Sequence, residues 1–378
     1  MKKITELTGL RCLAVMMVVI GHAQQTIQGG YSGWLSPLKP FANGYQGVLI
    51  FFVLSGFLIT NILKSEYTLS GKIDYARFYY RRALRIWPAS YAVILVIVIF
   101  SAIGFINVAW QQSIFAALHL WNYSGPLGLK EIHASHPDGV WYFGHFWSLA
   151  LEEQFYWVWP PLLIFLLRRK NDRILPALII TIPLARMGTY VLFPGLRDYL
   201  GMMLHTSVDA MLIGCYVAMK KDKINSIMDS SKYTSTICTI SIFILLFAIP
   251  PIANNYGGYW NATYGRTIEA ILASILMLSV INIKDFWLSK ILRTRIFIFI
   301  GTISFSLYLW QQIFLGINSP FAFKFPFNIM QAIAAASLSY WLIEIPFLRI
   351  KSKMKSKINI SNIDTSLQGE LKTKEKAT

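Results

Sequence analysis

Of the chain's 378 residues, 55% are hydrophobic and only 14% charged, with a mean hydropathy of +0.49. No water-soluble core absorbs so much apolar sequence, so the composition excludes a soluble two-domain enzyme and points to a polytopic membrane protein. The formal charge of +17 would suit a nucleic-acid partner, but the basic residues cluster between apolar runs, and that removes the main support for such a reading.

With about 20 apolar residues taken as one span, ten transmembrane helices are predicted, at 7–27, 44–63, 87–108, 146–167, 174–194, 203–219, 234–252, 263–283, 296–316 and 327–348. With the N-terminus placed inside, 28 of the 35 basic residues fall in cytoplasmic segments. Four (Lys39, Lys130, Arg197, Lys324) fall in outer loops and three (Arg11, Arg186, Arg266) in spans. The asymmetry predicts an all-α fold with both termini cytoplasmic. Residues 1–350 read as one membrane domain, and 351–378 as a polar, lysine-rich cytoplasmic tail that is expected to be disordered. The first apolar run lacks a small-residue cleavage site, so it is read as a retained helix and not a signal peptide. Cys12, Cys215 and Cys238 all fall in apolar spans and are expected to be small core residues.

The first span, LTGLRCLAVMMVVIGHA at 7–23, carries Arg11 and His22. Their separation is close to three helical turns, so both leave one face, about 16 Å apart along the axis. Ionisable groups at membrane depth are costly and are functional candidates by default; the plainer alternative for Arg11 is snorkelling to the headgroups. In the second span, Gly44, Gly47 and Gly56 suit close helix packing, and Ser55 is a candidate to line a passage.

FYYRRALRIWP, from 78 to 88, places Arg82 and Arg85 on one helical face with Arg81 beside them. Guanidinium groups never lose their charge and offer paired donors, which suits phosphate; the alternative is ordinary positive-inside charge. WSLALEEQFY, from 147 to 156, puts Ser148, Glu152 and Tyr156 in one stripe, with Glu153 about 100° around the helix. Glu152 is suited to orient a histidine or take its proton.

Later polar groups recur at helical spacing: His205 with Asp209, Ser304 with Tyr308 and Gln312, and Tyr340 with Glu344. Interhelical glue is their default role. Arg186 is expected to pair with Asp209, and Arg266 with Glu269. The outer loop 109–145, with Trp121, Tyr123, Trp141 and Tyr142, reads as a lid or a sugar-stacking surface. His133, His136, Asp138 and His145 in that loop match no metal-site spacing, and no metal is expected.

Taken in order, the Arg11 and His22 pair, GVLIFFVLSGF at 47–57, FYYRRALRIWP, WSLALEEQFY, TSVDAMLIG at 206–214, GTISFSLYLWQ at 301–311 and SYWLIEIPF at 339–347 resemble the membrane acyltransferase-3 family, bacterial integral membrane enzymes that most often O-acetylate sugars. The resemblance runs from Leu7 to about Arg349. The chain departs from it at Leu49, where many members carry an acidic residue, and at Gln311, where many carry histidine.

The resemblance implies acetyl-CoA as a donor bound from the cytoplasm and an acceptor at the outer face of a bacterial inner membrane. It implies that Arg11, Arg81, Arg82 and Arg85 hold the donor, and that His22 acts as base with Glu152 and Glu153 as the catalytic acids beside it. Ser55, Trp147, Ser148, Tyr156, Asp209 and Tyr308 are the implied substrate contacts. The expected acceptor is a cell-envelope polysaccharide or lipid-linked glycan, with a macrolide- or oligosaccharide-type small molecule or a lipid as the alternative. Direct transfer and an acetyl-histidine intermediate both fit, and a homo-oligomer is left open. A transporter is the less favoured class, because no paired broken helices stand in matching halves.

Overall fold

The computed structural model describes residues 4–128, 141–169, 171, 173–283, 285–316 and 319–353, and among them every regular element is helical. From 354 on, the predicted tail lies outside the described residues. Helix α1 (Thr5–Ala23) is followed by α2 (Gly44–Ser70) and α3 (Tyr75–Ala102). Asn43 starts α2 by accepting from the Gln46 backbone N–H (3.1 Å), and Asp74 starts α3 through that of Arg77 (3.0 Å). Gly71, at φ 70°, closes α2 in the left-handed conformation that glycine adopts without strain. Next come α4 (Trp110–Ala117), α5 (Phe146–Arg169), α6 (Ile174–Leu192), α7 (Asp209–Met219) and α8 (Lys221–Ser230). α9 (Thr234–Phe243) runs through a π-turn into α10 (Ile249–Ala262), followed by α11 (Gly265–Asn282), α12 (Trp287–Leu292), α13 (Arg295–Thr302), α14 (Ser304–Leu315) and α15 (Phe327–Ser339).

Among the described residues, seven segments are long and apolar enough to cross a membrane: Thr5–Thr26, Gly33–Ser70, Tyr75–Ala102, Ile174–Leu192, Thr234–Ala262, Gly265–Asn282 and Phe327–Lys353. α13 and α14, bent by 75° where they meet, make an eighth if taken as one span. This departs from the ten spans predicted. The predicted fourth span forms a 24-residue helix, α5, but Glu152, Glu153, Gln154, Pro160 and Pro161 interrupt its apolar character. The predicted sixth span is realised as α7, 11 residues and so about 16 Å long, which is too short to cross alone.

α2 lies at the centre of the bundle, packed against α1, α7 and α11. Its contact with α7 is backbone to backbone: a Cβ at Gly56 would collide with the Met211 carbonyl, and one at Gly214 with that of Val53. α1 packs against α2, α13 and α14, burying Leu10, Ala14, Val15, Met17 and Val19. The predicted Arg186–Asp209 pair is present at 2.7 Å, with both side chains buried. Asp209 also accepts from the Thr267 hydroxyl (2.6 Å), and Arg186 donates to the carbonyls of Thr206 (2.7 Å) and Thr263 (2.9 Å). All three cysteines are free and buried, as expected.

Candidate active site

Packed within the bundle, α1 turns Arg11 toward one cavity and His22 toward another. The first cavity, about 280 Å³, is lined by Arg11 from α1, Ser55 from α2, Arg82 and Arg85 from α3, Ser148, Glu152 and Tyr156 from α5, and Ser304 and Tyr308 from α14. Spacing explains the convergence: positions three apart on α3 and four apart on α5 share a face. The Arg82 guanidinium stacks 3.8 Å above the Tyr156 ring, and its buried Nε has no hydrogen-bond partner among the described residues. Glu152 accepts from the Ser55 hydroxyl (2.6 Å) and from that of Tyr156. One carboxylate against three guanidinium groups leaves the cavity strongly positive. The start of α14 adds the positive end of a 12-residue helix.

The second cavity, about 540 Å³, lies at the other end of α1 and is lined by His22, Tyr45, Trp141, His145, Trp147, Asp198, Arg266 and Gln312 among others. His22 Nδ1 lies 2.9 Å from Gln311 Oε1. Because an amide oxygen only accepts, Nδ1 carries the proton of the neutral ring, and in that form Nε2 holds the lone pair. Gln311 is itself fixed through its Nε2, which donates to Gln312 Oε1 at 3.4 Å. Val48 and Tyr308 line both cavities and so form the partition between them. The Tyr308 hydroxyl donates to the His145 carbonyl (3.0 Å) and stands 2.5 Å from the Ser148 hydroxyl.

Most of the predicted site residues are thus brought together. Arg11, Arg82, Arg85, Ser55, Ser148, Glu152, Tyr156 and Tyr308 share the first cavity, while His22, Trp147 and Tyr308 share the second. Three are not. Asp209 lines neither cavity, because Arg186 and Thr267 hold it within the core. Glu153, the 100° neighbour, turns to a separate groove between α3 and α5 with Tyr79, Trp87 and Trp157. Arg81, likewise turned away, does not line the first cavity with Arg82 and Arg85. The pairing of Glu152 with His22 is also corrected: Glu152 belongs to the arginine cavity, and Gln311 takes the place beside His22.

Arg266 does not pair with Glu269. Glu269 accepts from the Trp260 indole (2.8 Å), while Arg266 donates to Asn261 (3.3 Å). Sequence reasoning missed Gln311, Arg266 and His145 as site residues. The signals for Gln311 were the amide pair that it forms with Gln312 inside an apolar span and its standing where many members of the resembled family carry histidine. His133, His136 and Asp138 lie outside the described residues, whereas Trp141 of the predicted sugar-stacking loop does line the second cavity.

Residues 4–345 match the family described as acyltransferase domain. The chain is 29% identical over 382 residues to the peptidoglycan O-acetyltransferase OatA of Listeria monocytogenes serovar 1/2a, covering 94% of this chain and 56% of that protein. It is 28% identical over 368 residues to the O-acetyltransferase OatA of Staphylococcus aureus strain NCTC 8325, covering 90% of this chain and 56% of that one. The chain therefore spans about half the length of these relatives. No solved structure matches it.

Proposed function

This chain belongs to the acyltransferase-domain family, and on that premise we propose that it is an integral membrane O-acetyltransferase that moves an acetyl group from cytoplasmic acetyl-CoA to a hydroxyl of a cell-envelope glycan at the opposite face. The observation that carries this reading is the pair of cavities on α1, one walled by arginines and the other by a histidine with a free ring nitrogen, meeting at Val48 and Tyr308. The basic loops support a cytoplasmic position for the arginine end.

Arg11, Arg82 and Arg85 suit the phosphates of the donor, because fixed guanidinium forks and a helix N-terminus both favour oxyanions. The acyl thioester extends from there past Tyr308 toward His22. His22 Nε2 takes the proton of the acceptor hydroxyl as its oxygen attacks the thioester carbonyl. The C–S bond breaks, the ester is released on the glycan, and the proton passes to the departing thiolate. Gln311 holds the imidazole in the tautomer that this step requires. The Listeria relative, a peptidoglycan O-acetyltransferase, makes peptidoglycan the first acceptor to try.

The test uses membranes holding the full chain, acetyl-CoA labelled in its acetyl group, and envelope glycan. We expect transfer by the wild type and a loss of about a hundredfold or more in His22→Ala, the scale of a general base. Undiminished transfer by His22→Ala would remove the assigned role.

A further inference from the structure

We propose that the second cavity takes a glycan acceptor bearing an anionic group, a carboxylate or a phosphate, and that Arg266 reads that charge. This rests on the acyl-transfer reading, which gives the cavity to the acceptor but leaves the acceptor's charge open. Arg266 stands at the start of α11, its guanidinium 4.5 Å above the Tyr45 ring and its Nε donating to Asn261 Oδ1. Its Nη1 is buried and has no hydrogen-bond partner among the described residues. Gly201 leaves the room for that nitrogen, since a Cβ there would collide with it.

The neighbouring acids are otherwise engaged. Glu269 accepts from the Trp260 indole, and Asp209 is held by Arg186 and Thr267. Asp198, exposed on the cavity wall, makes no ion pair with Arg266 among the described residues. A guanidinium stays charged at every physiological pH and presents its donors in a planar fork that matches carboxylate and phosphate oxygens. Arg266 lines this cavity with no acid paired to its guanidinium among the described residues, a cation at the cavity wall suited to an oxyanion.

Its position relative to the base supports the same reading. Tyr45, which Arg266 covers, directly follows Gly44, where a Cβ would stand 3.9 Å from His22 Nε2. The first turn of α2 therefore carries the free nitrogen of the base against one residue and the cation over the next. An acceptor anchored at Arg266 by its acidic group brings its neighbouring hydroxyls toward His22, and the indole rings of Trp141 and Trp147 on the same cavity supply apolar faces for the sugar.

The test uses the full chain in nanodiscs and three probes: N-acetylglucosamine, which is neutral, N-acetylmuramic acid, which carries a carboxylate, and N-acetylglucosamine 1-phosphate. Binding without donor is read by quenching of tryptophan fluorescence, and transfer by acetyl label. We expect at least one acidic probe to bind the wild type about tenfold or more tightly than the neutral sugar. Arg266→Gln erases that gap by weakening the acidic probes more than the neutral sugar, and Arg266→Lys keeps part of it. Whichever acidic probe gains more separates the carboxylate source from the phosphate source.

Equal binding of all three probes by the wild type, the result if Nη1 serves only a water, overturns the proposal. Equal weakening of all three by Arg266→Gln, the result of a purely structural brace on Tyr45, overturns it too. Charge discrimination that persists without any acetyl transfer counts against the acyl-transfer reading alone. Transfer with no discrimination removes the role of Arg266 and leaves that reading standing.

Discussion

His22 is the proposed base, and a histidine works as a base only through an unprotonated ring nitrogen; at residue scale Gln311, by accepting from Nδ1–H, leaves Nε2 as the basic atom of the neutral ring. Gln311→Ala is expected to lower kcat by about tenfold to a hundredfold, a part of the effect of the base itself, with KM for the glycan little changed. A rise in KM at constant kcat would instead make Gln311 a binding residue. A second histidine, outside the spans, sets a pH dependence of stability. His119, after α4, stacks on Trp87 with ring centroids 6.5 Å apart, and burial pushes its imidazole down from 6.5 to about 4. Between those values the unfolded chain binds a proton that the folded chain does not, so this contribution is complete above 6.5 and is lost as pH falls toward 4. In detergent, the apparent Tm of the wild type should fall more steeply between pH 7 and about 4.5 than that of His119→Asn. Asparagine is the fitting replacement, because His119 holds a φ of 53°.

At the scale of elements, the α2–α7 contact and the buried ion pair carry the arrangement of the site. Gly56→Leu drives a side chain into the Met211 carbonyl, which is backbone and has nowhere to move. Overpacking of this kind costs about 1–3 kcal/mol or more, and the yield of folded protein in detergent should drop accordingly. Asp209→Leu leaves the buried Arg186 guanidinium with only carbonyl partners, a break that costs about 3–5 kcal/mol. The double variant Arg186→Met with Asp209→Leu should recover much of that loss, because no uncompensated charge remains. The family resemblance implied Asp209 as a substrate contact, while its helical spacing and the expected Arg186 pair gave it a structural role, and the structural role is the one the packing of distant helices realises.

For the whole molecule, the proposed transfer from cytoplasmic donor to outer acceptor requires that the two ends of α1 face opposite sides of the membrane. The native thiols are buried, so cysteines introduced at the exposed Lys39 and Lys72 report the sides cleanly. An impermeant maleimide added to intact cells should label Lys39→Cys and spare Lys72→Cys; the reverse pattern would invert the proposed direction of transfer. The sequence by itself determined the helical class, the facing of Arg11 and His22 on one helix, and the shared face of Arg82 with Arg85 and of Ser148 with Glu152 and Tyr156. Each of these follows from helical period and from the free energy of moving apolar surface or charge into a bilayer, both local properties. Only the tertiary structure decided that Gln311 and not Glu152 meets His22, that Glu153 and Asp209 leave the site, that Arg266 enters it, and that Tyr308 parts two cavities. Those outcomes depend on which faces meet across gaps such as the 289 positions between His22 and Gln311, and helical periodicity fixes the faces of each helix but not their partners.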